Sequence, residues 1–229
     1  MTLVVAHRGA AQEAPQNSVQ AFLDARRQGA DGVELDVRRS RDGALVVNHD
    51  LDIPGKGPIC DLDVADLPEH VALLSEAMVA CGDLLVNVEI KNSIDEQGHD
   101  PSGALVSQVL AELAEILTDG QVIISSFDLA TVAAVRREEP SMATGLLLEP
   151  GADVEAAIDL AVEHGFSAIH PFVIGTTPEV VARAHAAGLS VNVWTVNGQS
   201  DASELVAMGA DAIITDDVPM VRGVVDSTS

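Results

Sequence analysis

The feature that most constrains the fold of this chain is a join that recurs four times, in which a glycine closes a helical stretch and leads at once into a β-branched run. Gly29-Ala30-Asp31-Gly32-Val33-Glu34, Gly165-Phe166-Ser167-Ala168-Ile169-His170, Gly188-Leu189-Ser190-Val191-Asn192-Val193 and Gly209-Ala210-Asp211-Ala212-Ile213-Ile214 each read as a helix C-cap followed by a strand. Hydrophobic periodicity extends the alternation along the whole chain. It predicts strands at 3–6, 32–37, 44–48, 84–90, 121–125, 144–148, 168–171, 189–195 and 212–215. Helices are predicted near 17–28, 72–80, 102–118, 128–138, 153–164, 178–187, 200–208 and 217–224. Repeated right-handed βαβ units make either a doubly wound sheet or a closed barrel.

Polar clusters favour the barrel, because they stand at the ends of strands spread from His7 to Trp194, as the top face of a barrel requires. The expected fold is therefore an α/β (β/α)8 TIM barrel, one domain over 1–229. The run at 44–48 is a short extension beside 32–37. The Pro-, Gly- and Asp-rich segment 51–70 forms a short lid insertion after the second strand, and 92–103 is a second polar loop at the same face. The tail 226–229 is expected to fray.

The clusters are His7-Arg8-Gly9, Glu34-Leu35-Asp36, His49-Asp50 and Glu89-Ile90-Lys91. Buried strands should carry Val, Leu and Ile, and burying unpaired charge is costly, so a metal ion or an anionic ligand is the natural explanation. Side chains alternate across a strand, which puts Glu34 and Asp36 on one face and Val33, Leu35 and Val37 on the other. The same rule groups Asn87, Glu89 and Lys91. Three converging carboxylates repel one another unless a hard divalent cation neutralises them, and an all-oxygen set favours magnesium, calcium or manganese over zinc. Trp194, the only tryptophan in a chain without tyrosine, shares a face with Asn192 and is expected in the barrel mouth, with Phe127 as the second candidate for an apolar wall. His170 ends a strand and is a further candidate for the pocket.

Charge narrows the partners. With 36 acidic against 12 basic residues and a net charge of -24, the chain lacks the dense Lys and Arg that nucleic acid demands. Any phosphate must be held locally. Lys56 and Lys91 are the only lysines, so Arg8 and Lys91 beside the carboxylates stand out as candidate anion-binding residues. Cys60 and Cys81 show neither metal-ligand spacing nor a disulfide framework, which fits a reducing compartment. No secretory-type apolar region follows Met1, and no run reaches the ~20 apolar residues of a membrane span, so a cytoplasmic protein without membrane insertion is expected.

The same residues carry a family resemblance. His7-Arg8-Gly9, Asn17 after Pro15, Gly29 to Val37, Asp42-Gly43 before Val46-Val47-Asn48-His49-Asp50, Glu89-Ile90-Lys91, Ser125-Ser126-Phe127-Asp128, Trp194-Thr195-Val196-Asn197 and Gly209 to Asp216 resemble, in order, the glycerophosphodiester phosphodiesterase family of cytoplasmic bacterial type. The resemblance implies hydrolysis of a small-molecule glycerophosphodiester to an alcohol and sn-glycerol 3-phosphate. It implies a divalent metal ion, Mg2+ or Ca2+, held by Glu34, Asp36 and Glu89, and an acid/base pair at His7 and His49. It further implies attack by the glycerol C2 hydroxyl, giving a cyclic phosphate that water opens. Such chemistry needs charge at the non-bridging oxygens, which Arg8 and Lys91 could share, and proton transfer at the attacking and leaving oxygens.

The chain departs from the family in two places. Pro15-Gln16-Asn17-Ser18 stands where Pro-Glu-Asn-Thr is usual, with Asn17 and Ser18 read as helix caps, and the loop after Asp50 lacks a Thr-rich stretch. Two other classes share some of these features. A related phospholipase acting on lysophospholipid head groups should add an aromatic or basic membrane-facing loop, which is missing, and a non-catalytic barrel should have lost one of the five metal or histidine residues, all of which are present.

Overall fold

The computed structural model describes residues 1–10, 14–116 and 122–228. The ring is built from β1 (Leu3–Ala6), β2 (Gly32–Arg39), β6 (Leu85–Ile90), β7 (Val122–Ser126), β8 (Ala143–Leu147), β9 (Ala168–His170), β10 (Ser190–Val193) and β11 (Ala212–Thr215). Each strand is parallel to its neighbours, and β1 pairs with both β11 and β2, which closes the eight-stranded barrel. The helices α1 (Val19–Arg27), α2 (Leu74–Cys81), α3 (Ala104–Ile116), α4 (Leu129–Glu138), α5 (Val154–His164), α6 (Pro178–Ala186), α7 (Gln199–Met208) and α8 (Val218–Thr228) alternate with these strands. The fold is a TIM barrel.

Local chemistry explains where the helices start and stop. Ser18, Asp128, Asp153 and Thr177 accept first-turn N–H groups of α1, α4, α5 and α6. Gly165 and Gly209 end α5 and α7 at φ of 69° and 83°, a left-handed turn that a side chain would oppose, so the chain can turn at once into the next strand. The predicted residues 117–118 and 121 lie outside the described residues, as does Ser229. The expected fraying is not seen at Asp226 to Thr228, which continue α8, with Ser227 and Thr228 hydroxyls donating to the carbonyl of Val224.

Alternation divides the strand residues into two sets. Val33, Leu35, Val37, Val86, Val88 and Ile90 join the core between barrel and helices. The opposite set faces the barrel interior and is mixed, with Glu34, Asn87 and Glu89 toward the mouth and Leu3, Val5 and Ile123 toward the other end. The predicted extension is β3 (Leu45–Val47), which runs antiparallel along the end of β2, pairing Val37 with Val47 and Arg39 with Leu45. Because β2 outruns β1, its upper edge is free for this pairing, and the chain leaves β3 at the barrel mouth with His49.

Segment 51–70 is a folded insertion. It contains the small hairpin β4 (Asp52–Ile53) and β5 (Gly57–Pro58) with two short 3-10 turns, and its Ile53 and Ile59 pack with Val46 of β3 in a separate apolar cluster. Its residues are absent from the lining of the main cavity, where Ser93, Ile94 and Glu96 of the second loop stand instead. Among the described residues no helix is long and apolar enough to cross a membrane.

Candidate active site

The C-terminal ends of the strands enclose a cavity of about 490 Å3 whose walls include His7, Arg8, Glu34, His49, Glu89 and Lys91. Parallel register places Asp36 beside Glu89, and Glu34 two residues earlier faces inward with it. One oxygen from each of Glu34, Asp36 and Glu89 lies within 4.8 Å of the others, and all three side chains are buried. An ion holding oxygens at about 2.1–2.5 Å can join ligands up to roughly 4.2–5 Å apart, so the triad fits a hard divalent cation. Asp36 Oδ1 is buried without a hydrogen bond among the described residues, as an unfilled ligand atom would be.

Electrostatics point the same way. Lys91 Nζ lies 2.8 Å from Glu89 Oε1 and 3.4 Å from Asp36 Oδ1, and Arg8 Nε lies 3.4 Å from Asp36 Oδ2. Two cations face three buried carboxylates. Burial, reinforced by the neighbouring carboxylates, pushes Glu34 well above the ordinary range, and burial with the Asp36 charge pushes Glu89 up to about 7. Although burial opposes it, Asp36 stays below its ordinary value because Lys91, Arg8 and His49 attract the charge and Asn17 donates to it. The cluster is short of positive charge. A divalent ion would supply it.

Both histidines are oriented by carboxylates. His7 Nδ1 is 2.7 Å from Asp216 Oδ1, and Asn197 Nδ2 donates to the other Asp216 oxygen at 2.6 Å. The hydrogen bond with His7 leads in holding the Asp216 carboxyl below its ordinary value. An Nδ1–H committed to a carboxylate leaves Nε2 as the free acceptor of the neutral ring. His49 Nδ1 lies 2.8 Å from Asp50 Oδ1, while Arg38 donates through Nε and Nη2 to the His49 carbonyl at 3.0 and 2.7 Å. Burial, with Lys91 and Arg8, pushes the His49 imidazole down against the pull of Asp36, favouring the neutral form.

Two residues are held in the left-handed backbone region to serve this cluster. Arg8 has φ 57°, which aims its N–H at Glu34 Oε2, 3.0 Å away, and Asn17 has φ 59°. Asn17 is not the helix cap that its sequence context predicts. Its Nδ2 donates to Asp36 Oδ2 at 2.8 Å and its Oδ1 accepts from the Asp36 N–H at 3.2 Å, leaving capping to Ser18 alone. A polar side chain with a buried carboxylate in reach gains more there than at a solvated helix end. Gln16 accepts from Arg8 Nη1 at 3.0 Å, a neutral partner for the guanidinium where a glutamate would carry a charge.

Phe127, Leu147, Glu149 and Trp194 line the opposite wall. The Trp194 ring meets Phe127 and Phe172 edge to face, with centroids 5.4 and 5.2 Å apart, and its Nε1 donates to the His170 carbonyl at 2.9 Å. His170 is a correction: its fully buried ring lies inside the barrel, beside Asn192, and lines a cavity toward the other end. Sequence reasoning also passed over Arg38, whose signal was a charge inside the otherwise buried run of β2, and Asp216 as the partner of His7, whose signal was its place at the end of β11.

A parallel barrel that gathers three carboxylates, two carboxylate-bound histidines, Arg8 and Lys91 in one mouth is built as an enzyme for an anionic substrate. The chain belongs to the glycerophosphoryl diester phosphodiesterase family, whose model matches residues 7–220, and it is a hydrolase of the phosphodiesterase class. It is 32% identical to a glycerophosphodiester phosphodiesterase of Caldanaerobacter subterraneus subsp. tengcongensis over 94% of each chain. A crystal structure of glycerophosphodiester phosphodiesterase from Thermotoga maritima superposes with a TM-score of 0.82 at 26% identity, covering 98% of each chain. An Oleispira antarctica phosphodiesterase in complex with the product sn-glycerol-3-phosphate shares the fold, with a TM-score of 0.87 at 24% identity over 99% of this chain and 97% of that one.

Proposed function

We propose that this enzyme hydrolyses glycerophosphodiesters to an alcohol and sn-glycerol 3-phosphate, using Mg2+ or Ca2+ held by Glu34, Asp36 and Glu89 and proton transfer by His7 and His49. The observation that carries the reading is the convergence of those three buried carboxylates, within 4.8 Å of one another, on a cavity also lined by both histidines. When bound, the ion supplies positive charge to the non-bridging oxygens of the diester. Arg8 and Lys91 hold the same phosphate, and Phe127 and Trp194 form the apolar wall against the substrate's carbon skeleton. One histidine takes the proton of the glycerol C2 hydroxyl as it attacks phosphorus, the other protonates the departing alcohol, and water then opens the resulting cyclic phosphate to sn-glycerol 3-phosphate. The carboxylate on each Nδ1 keeps the ring oriented through that exchange. The product bound by the Oleispira relative is the one expected here. One domain carries out the reaction, and the free Cys60 and Cys81 suit a reducing cytoplasm.

The test is release of sn-glycerol 3-phosphate from glycerophosphocholine with Mg2+, with Ca2+ and with a chelator, beside the 2-deoxy analogue. Activity is expected only with metal. The deoxy analogue should bind yet turn over slower by orders of magnitude, since an internal hydroxyl can reach effective concentrations of ~10⁵–10⁸ M. Full activity in chelator would remove the metal from the reading, and similar rates for the two diesters would replace the internal nucleophile by water.

A further inference from the structure

In the barrel ring, β8 stands four strands from β1, directly across the mouth from His7 and Arg8. Alternation continues past the end of β8, so Leu147 and Glu149 both face the cavity while Leu148 joins the core. The other charged residues lining the cavity are engaged. Arg8 and Lys91 lie against Asp36 and Glu89, Arg8 N–H holds Glu34, Glu96 pairs with Arg38 at 2.7 Å, and Asp128 accepts from the N–H groups of Ala130 and Thr131. Glu149 is the exception: its carboxylate is exposed and makes no side-chain hydrogen bond or ion pair among the described residues.

The same cavity has an aromatic wall. Trp194 is fixed by its Nε1 hydrogen bond and by the two phenylalanine rings, and a cation already lies against this wall, with Lys91 Nζ 5.9 Å from the Phe127 centroid. A free carboxylate lining the same cavity as fixed π-faces matches one ligand chemistry, a positively charged and partly apolar alkylammonium group. It mismatches anionic alcohols, which meet Glu149 without a cation to offset it, and offers a neutral polyol no charge to pair.

We propose that Glu149, with Trp194 and Phe127, forms a head-group subsite that selects diesters whose alcohol carries an ammonium group. The inference rests on the phosphodiesterase reading for where the phosphate sits, at the carboxylate end of the cavity, which leaves the β8 side to the departing alcohol. Glu149 is a specificity residue and takes no part in bond breaking.

The experiment compares kcat/KM for glycerophosphocholine, glycerophosphoethanolamine and glycerophosphoglycerol in the wild type, Glu149→Gln and Glu149→Lys, and follows Trp194 fluorescence while tetramethylammonium is added. Wild type should favour the two ammonium diesters by about fivefold or more, a preference that salt weakens. Glu149→Gln should erase it through KM with kcat held, and Glu149→Lys should invert it. Tetramethylammonium should shift the emission of the wild type and not of Glu149→Lys. Equal kcat/KM for charged and neutral head groups in the wild type, or a Glu149→Gln loss of equal size on every diester, would overturn the subsite. The fluorescence arm separates the two readings. An ammonium response without turnover of any diester leaves the subsite standing and removes the proposed reaction, whereas turnover with no ammonium response and no preference removes the subsite alone.

Discussion

The two halves of the barrel mouth are built differently. On the ends of β1, β2 and β6, and on Asp216 after β11, the wall is charged and held by polar pairings: Asn17 to Asp36, Arg8 N–H to Glu34, Lys91 to Glu89, Asp216 to His7. Beyond β7, β8, β9 and β10 the wall is Phe127, Leu147, Glu149, Phe172 and Trp194, half-buried or at the edge of solvent except for Leu147, and held mainly by ring packing. Placing a developing charge demands oriented dipoles that need not rearrange during reaction. Choosing a leaving group demands only shape, π-faces and one charge. The charged half should therefore set kcat and the aromatic half KM.

The largest effect should come from removing an anionic ligand. Glu89→Gln should lower kcat on the order of 10²–10³ or more and raise the metal concentration required, with the fold retained by circular dichroism. Trp194→Ala, on the other side, should raise KM for glycerophosphocholine by about three- to tenfold with kcat within about twofold. If Trp194→Ala lowers kcat as far as Glu89→Gln does, the division of labour between the halves is wrong.

A smaller effect sharpens the charged half. The Asn17 side chain is outside the cavity lining and orients Asp36 from behind, so Asn17→Ala should weaken metal affinity by about 10–100-fold while saturating metal restores most of kcat. A loss that excess metal does not rescue would give Asn17 a role beyond positioning Asp36.

The smallest effect lies beneath the aromatic half. Burial pushes the His170 imidazole down to about 3 from 6.5, so the folded state refuses a proton that the unfolded chain accepts. Its contribution to stability is full above about 6.5 and is lost as pH falls from there toward 3. Unfolding curves of wild type and His170→Gln at a series of pH values should converge as the pH is lowered through that window. Parallel curves would show that His170 does not titrate on unfolding.

Much of this molecule is written locally in the chain. The glycine joins at 165 and 209, the alternation in Gly32 to Val37 and the acidic-basic grouping in Glu89 to Lys91 predicted the βα alternation, the strand faces and the shared face of Glu34 and Asp36, because each depends on backbone geometry within a few residues. The same local reasoning misread Asn17 as a cap and placed His170 in the mouth. A side chain's choice between a helix end and a carboxylate nineteen residues away, or a ring's depth in the barrel, is fixed by neighbours that sequence spacing does not name.

By itself, then, the sequence determined the βα alternation, the ends of the helices and the set of groups able to bind metal and phosphate, because propensity, capping and strand period act over short distances. Only the tertiary structure decided that Asp36 lies beside Glu89, that β3 returns along β2 to bring His49 to the mouth, that Asp216 orients His7 from 209 residues away, and that Glu149 faces the cavity unpaired among the described residues. Those relations come from strand register and barrel closure, which are set when all eight strands pack at once and are carried by no single stretch of chain.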